Sequence, residues 1–202
     1  CPPRRLIASP VSLAVSSRSV SRHDRPAVFR PEPGVASVFA GLPEGIEEFN
    51  LPVPSRLGSA APRQSIHAWW LPSVRAHAPA VLYLHGSRWN LTGQLFRIRQ
   101  LHALGFSVFA IDYRGFGKSE GKAPSEKAVY EDARIGWEAM AELEPDPHRR
   151  FIYGHSLGGA IAVDLAASLS KEAEKLNVEP PAHGLVVESS FTNLADLARA
   201  YS

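Results

Sequence analysis

Residues Gly154-His155-Ser156-Leu157-Gly158 fit the pattern G-x-S-x-G. A serine hydroxyl becomes a strong nucleophile only when a base takes its proton. It must also stand clear of the backbone, and a sharp strand-to-helix turn achieves this. Side chains at Gly154 or Gly158 would crowd such a turn. The pattern alone is a weak signal, but its setting strengthens it. Phe151 to Tyr153 reads as a short apolar strand, and Leu157 to Leu169 as a helix of small residues. Ser156 is therefore the candidate nucleophile. The helix starting at Leu157 points its positive end toward the same place.

Attack on an acyl carbon creates an oxyanion, which needs donors already in position. The main-chain N–H of Leu157 is the first. The second is assigned to the N–H of Ser87, in the loop His85-Gly86-Ser87-Arg88-Trp89-Asn90 that follows an apolar strand. In this loop Gly86 is read as a supporting residue, and His85 as holding the loop by hydrogen bonds. His155, next to the nucleophile, is read as a packing group. Arg88 and Trp89 border the loop and are placed to shape an acyl pocket.

These residues need a frame that gathers loop ends at one edge. Ala80 to Leu84 and Ser107 to Tyr113 are continuous apolar runs, as in strands buried on both faces. Ile46 to Val53 and Ser65 to Leu71 read as earlier strands, with a turn over Arg56 to Arg63, and Leu185 to Val187 as a last strand. Between them, Gly93 to Leu104 reads as a helix. A second helix is capped by Ser125, with Val129, Ala133, Trp137 and Met140 on one stripe. Phe191 to Tyr201 reads as a further helix. Alternating strands and helices imply an α/β fold: a three-layer, open, mostly parallel sheet with ligands at the carboxyl ends of its strands. Residues 1–45 are rich in Pro, Ser and Arg without a period, which suggests an extended or poorly ordered leader before a domain over 46–202. Trp69, Trp70 and Trp137 are read as core or interface residues.

The composition narrows the function classes. Hydrophobic residues make up 45% and charged residues 21%, which fits a soluble globular chain and not a disordered one. A formal net charge of +2 and no basic stripe argue against nucleic-acid binding. No apolar run approaches the roughly 20 residues of a membrane-spanning helix. Cys1 is the single cysteine, so no internal disulfide and no multi-cysteine metal site can form. Two readings of Cys1 stay open. It is either a lipidated cysteine at a processed N-terminus, which would tie the chain to a membrane, or a fragment boundary. Cytoplasmic and membrane-associated locations both stay open, as does the oligomeric state.

Four segments, LYLHGSRWN (82–90), FAIDYRGFGKSEG (109–121), YGHSLGG (153–159) and VVESSF (186–191), together resemble the α/β-hydrolase superfamily. The likeness is to its esterase, lipase and serine-aminopeptidase-like branch, over about Ser65 to Tyr201. The resemblance implies cleavage of an ester, thioester or amide in a small acyl substrate, including lipids, through an acyl-serine. It implies no metal and no organic cofactor. Family members order their triad as serine, acid, histidine. The usual positions of the last two fall after further strands, beyond Ser202, so the chain reads as an N-terminal portion without its C-terminal strands. Alone, it is expected to be nearly inactive and to expose an apolar strand edge.

Local substitutes for the triad are few. His183 begins the last strand, about 16 Å along it from the catalytic edge at ~3.3 Å per residue, too far for a base. Glu188 ends that strand and is a candidate acid, with a structural ion pair as the plainer reading. Asp112 is expected to tie the glycine loop after its strand, and Arg114 to pair with Asp112 or Glu188. Two further functions stay open: a non-catalytic binding or scaffold module of the same fold, and acyl transfer to an acceptor other than water.

Overall fold

The computed structural model describes residues 28–36, 39–54, 64–121 and 124–190. Among these residues six strands form: β1 (Glu47–Pro52), β2 (Ser65–Leu71), β3 (Ala80–Leu84), β4 (Ser107–Ile111), β5 (Arg150–His155) and β6 (Gly184–Glu188). They form one sheet in the order β1-β2-β4-β3-β5-β6. The pairs of β4, β3, β5 and β6 are parallel, while β1 and β2 run antiparallel at one side. The expected turn at Arg56 to Arg63 and helix at Phe191 to Tyr201 lie outside the described residues.

Among the described residues, three helices pack on this sheet: α1 (Leu91–Ala103), α2 (Glu126–Leu143) and α3 (Leu157–Leu176). Strand side chains alternate between faces, so β3 supplies two cores at once. Ala80, Leu82 and Leu84 join Val129, Ala133, Trp137 and Met140 of α2 and Ile161, Leu165 and Leu169 of α3. Val81 and Tyr83 face the other way, against Leu91, Ile98 and Leu101 of α1. All five residues of β3, and all five of β4, are buried. That burial explains their unbroken apolar runs. Each fully buried side chain of this size contributes roughly 1.5–3 kcal/mol. Trp69 and Trp137 are core residues, at 1% and 3% exposure.

Several boundaries move for local reasons. Helix α1 begins at Leu91, before the expected Gly93, because the Asn90 side chain caps it by accepting from the Thr92 N–H. Ser125 caps α2 by accepting from Ala128. Helix α3 runs past Leu169 to Leu176 and ends on Asn177 in the left-handed conformation.

Part of the leader packs on the domain. Val28 and Phe29 are buried in the core, and Phe39 stacks on Trp69 with ring centroids 5.7 Å apart. Gly34 donates to the carbonyl of Gly117 at 2.8 Å, and Gly117 donates to that of Glu32 at 2.9 Å. The described part of residues 1–45 is thus an extended strap packed on the domain, and residues 1–27 lie outside the description.

Candidate active site

The register of the parallel strands gathers the candidate residues at one edge. Leu84 pairs with Gly154 and with Ile111, and His155 pairs with Glu188. His85-Gly86, Asp112, Ser156 and Ser189 therefore leave neighbouring strands at the same level.

Ser156 occupies the turn between β5 and α3 with φ 55 and ψ −117. That backbone is strained for a residue carrying a Cβ. Three main-chain contacts hold it there. Its N–H donates to the Glu188 carbonyl at 2.9 Å, its carbonyl accepts from Gly159 at 3.0 Å, and Ser190 Oγ donates to the same carbonyl at 2.7 Å. The Ser156 side chain makes no capping bond to the helix it precedes. Ser156 is half-buried and Leu157 fully buried.

The glycines are required by close packing. A Cβ on Gly154 would strike the Gly158 carbonyl, and one on Gly158 would strike the Leu84 carbonyl. A Cβ on Gly159 would strike Ser190. A Cβ on Gly86 would lie 3.3 Å from the Ser156 Cβ and 3.3 Å from Nδ1 of His155. The loop carrying Ser87 is thus pressed against the elbow. The N–H of Leu157 lies in the first turn of α3 and has no intrahelical acceptor. Trp89, at φ 64 and 49% exposed, sits at the rim of this loop.

His85 is fully buried, and its Nδ1 lies 2.7 Å from the Gly86 carbonyl. Its Nε2 faces Asp112 Oδ1 at 3.4 Å, and Nδ1 of His67 faces Asp112 Oδ2 at 3.5 Å. Both are long for hydrogen bonds. Asp112 Oδ1 accepts from the Leu91 N–H at 2.9 Å, and Gly117 packs so closely that a Cβ there would strike Asp112. Burial alone would raise the Asp112 carboxyl. His67, His85 and the Leu91 N–H outweigh it and hold the group below its ordinary value.

Glu188 turns its carboxylate to Arg97 of α1, with both oxygens 2.8 Å from Nη1, and accepts from the Tyr153 hydroxyl. Burial pushes this carboxyl up, but Tyr153 and Arg97 together bring it below the ordinary value. Tyr153 is itself pushed up to about 12, by burial first and then by Glu188. Nε2 of His155 lies 3.2 Å from Arg97 Nη2. Burial, then the Arg97 charge, lowers its pKa, which favours the neutral ring.

One placement differs from expectation and another agrees with it. Arg114 pairs with neither Asp112 nor Glu188. Its Nε donates to Asp132 at 2.7 Å and its Nη2 to Glu131 at 2.9 Å, both on α2. His183 sits at the far edge, where its N–H donates to Arg150 and its ring meets Phe151. Sequence reasoning missed Arg97, Tyr153, Asn90 and the strap. Only Asn90 carries a readable signal, a capping residue directly before α1.

The sequence pattern of the family described as serine aminopeptidase, S33, matches residues 75–199. Lysophosphatidylserine lipase ABHD12 of Danio rerio is 34% identical over 138 residues, which is 66% of this chain and 33% of that one. An uncharacterized protein of Mycobacterium tuberculosis is 35% identical over 135 residues, or 66% of this chain and 44% of its own. The chain therefore spans between a third and a half of the length of these relatives. Among solved structures, a thermostable carboxyl esterase from Bacillus coagulans superposes with TM-score 0.53 at 25% identity, covering 69% of this chain and 43% of that one. An alpha-beta hydrolase from Vibrio vulnificus gives TM-score 0.56 at 24% identity, covering 77% and 56%. With the strand order and elbow described above, these matches place the chain in the serine aminopeptidase S33 family of the α/β-hydrolase superfamily.

Proposed function

We propose that the protein carrying this chain is a serine hydrolase in which Ser156 is the nucleophile. The strained elbow at Ser156, with its hydroxyl uncommitted and Gly86 packed against it, is the observation that carries this reading. Ser156 Oγ attacks the acyl carbon and gives its proton to a base. The carbonyl oxygen takes up the negative charge and receives the N–H groups of Leu157 and Ser87. The leaving group departs with a proton, and water then releases the acyl group from Ser156 by the reverse steps. The acid and the histidine base belong later in the chain order of this fold. Small acyl compounds, lipids among them, are the proposed substrates, supported by the lipase and esterase names of the relatives.

A second reading, a non-catalytic binding module, is favoured by one observation. Among the described residues, no histidine receives a hydrogen bond from Ser156 Oγ. One experiment separates the two. The complete protein is treated with a fluorophosphonate probe beside its Ser156→Ala variant. Labelling that disappears in the variant supports the hydrolase. An unlabelled wild type, or labelling that survives in the variant, rejects it.

A further inference from the structure

Three consecutive carbonyls in the loop after β3 are held by donors. Tyr113 Oη donates to the His85 carbonyl at 3.1 Å. Nδ1 of His85 stands 2.7 Å from the Gly86 carbonyl. The N–H of Arg30 donates to the Ser87 carbonyl at 3.3 Å. A carbonyl only accepts, so Nδ1 of His85 carries the proton in this contact. A trans peptide is flat, with its C=O and its N–H on opposite sides. Fixing the Gly86 carbonyl therefore turns the Ser87 N–H the other way, and fixing the Ser87 carbonyl does the same for Arg88. Among the described residues, neither N–H meets an acceptor.

The donor at Arg30 belongs to a strap that is itself firmly tied. The Asn90 side-chain amide donates to the carbonyls of Glu32 and Gly34, both at 3.0 Å. The N–H of Ala36 donates to Thr92 Oγ1 at 2.8 Å. Gly34 and Glu32 bond Gly117, and Val28 and Phe29 anchor the start of the strap in the core. Asn90 thus caps α1 with its oxygen and fastens the strap with its nitrogen. One side chain links the strap, the helix and the loop.

We propose that the strap over residues 28–36 is a positioning element of the active site. Arg30, through its main-chain N–H, and His85, through Nδ1–H, are positioning residues that pre-set the Gly86–Ser87–Arg88 peptides. They leave the Ser87 N–H facing the developing oxyanion. The proposal rests on the hydrolase reading for its catalytic consequence, but not for the loop geometry.

The test uses the complete protein and two pairs of variants. Arg30→Pro deletes the N–H, while Arg30→Ala keeps it. His85→Leu deletes the Nδ1 donor, while His85→Asn offers an amide to the same carbonyl. Arg30→Pro and His85→Leu should each lower kcat by about 10²-fold with KM little changed, as for a misplaced oxyanion donor. Affinity for an alkyl trifluoromethyl ketone should fall in step with kcat/KM for a p-nitrophenyl ester. Arg30→Ala should lose about tenfold less than Arg30→Pro, and His85→Asn should recover most of the loss. Folded Arg30→Pro and His85→Leu proteins with wild-type kcat and ketone affinity would overturn the proposal. If Arg30→Pro does not fold, the His85 pair decides alone. If Ser156→Ala shows that the hydrolase reading is wrong, the amide resonances of Ser87 and Arg88 decide instead. Movement in Arg30→Pro but not in Arg30→Ala supports the positioning role, and no movement in either rejects it.

Discussion

Arg97 reaches from α1 to hold both carboxylate oxygens of Glu188 at 2.8 Å, across 91 positions of sequence. The same Glu188 accepts the Ser156 N–H on its main-chain carbonyl. The end of β6 is therefore clamped on its side chain and supports the elbow with its backbone.

This clamp should appear as a coupling energy. Both side chains keep some contact with water, at 22% and 34% exposure, so solvent screening reduces the pair to about 1 kcal/mol. A double-mutant cycle of Arg97→Met and Glu188→Gln, followed by urea denaturation, should return that value. Additive single losses would show that the pair carries no net energy.

Two glycines at the elbow should respond differently to alanine. A Cβ on Gly158 would overlap the Leu84 carbonyl, which is backbone and cannot step aside. Gly158→Ala should cost about 3 kcal/mol or prevent folding. The nearest atoms to a Cβ on Gly86 stand at 3.3 Å, so Gly86→Ala should fold at a cost of about 1 kcal/mol. Its methyl group would still crowd Ser156, so fluorophosphonate labelling should slow. Equal midpoints in urea for the two variants would contradict this packing.

The sequence makes some of this arrangement legible and hides the rest. β3 and β4 announce themselves because strands buried on both faces need unbroken apolar runs. The elbow is readable because its geometry excludes side chains at Gly154 and Gly158. Asp112 and Arg114 show the limit. Arg114 lies two residues after Asp112, yet it turns to Asp132 on the facing helix. Sequence proximity does not say which acid a guanidinium will meet after folding. The strap is hidden for a different reason. It is held to Ser87, Asn90 and Gly117 largely through its own main chain, and main-chain hydrogen bonds leave no mark on residue type.

The acid sensitivity of the fold should trace partly to Glu48. Lys118 lies 2.7 Å from its Oε1, and His67 and Trp69 also donate to that oxygen. Lys118 lowers the Glu48 carboxyl most; burial opposes it, His67 and Trp69 assist, and the result is about 2. A carboxyl with a depressed folded-state pKa contributes stability above its unfolded value. That contribution should be complete above about pH 4.5 and should disappear as pH falls through about 2. Melting temperatures of wild type and Glu48→Gln, followed across this range, should converge in acid. A constant gap between them would exclude Glu48 as a source of acid sensitivity.

The backbone strain at Ser156 implies a trade between stability and chemistry. With φ 55 and ψ −117, the serine Cβ lies where only glycine is comfortable. Ser156→Gly removes that conflict and leaves the main-chain bonds to Glu188, Gly159 and Ser190 intact. It also gives the unfolded chain more freedom, which offsets part of the gain. Strain of this kind costs about 1–3 kcal/mol, so the net change should be stabilising by about 1 kcal/mol. Denaturant unfolding should then show Ser156→Gly more stable than wild type, while the fluorophosphonate probe leaves it unlabelled. A variant less stable than wild type would mean that the serine side chain repays its strained backbone through packing, and that the elbow stores no energy for function.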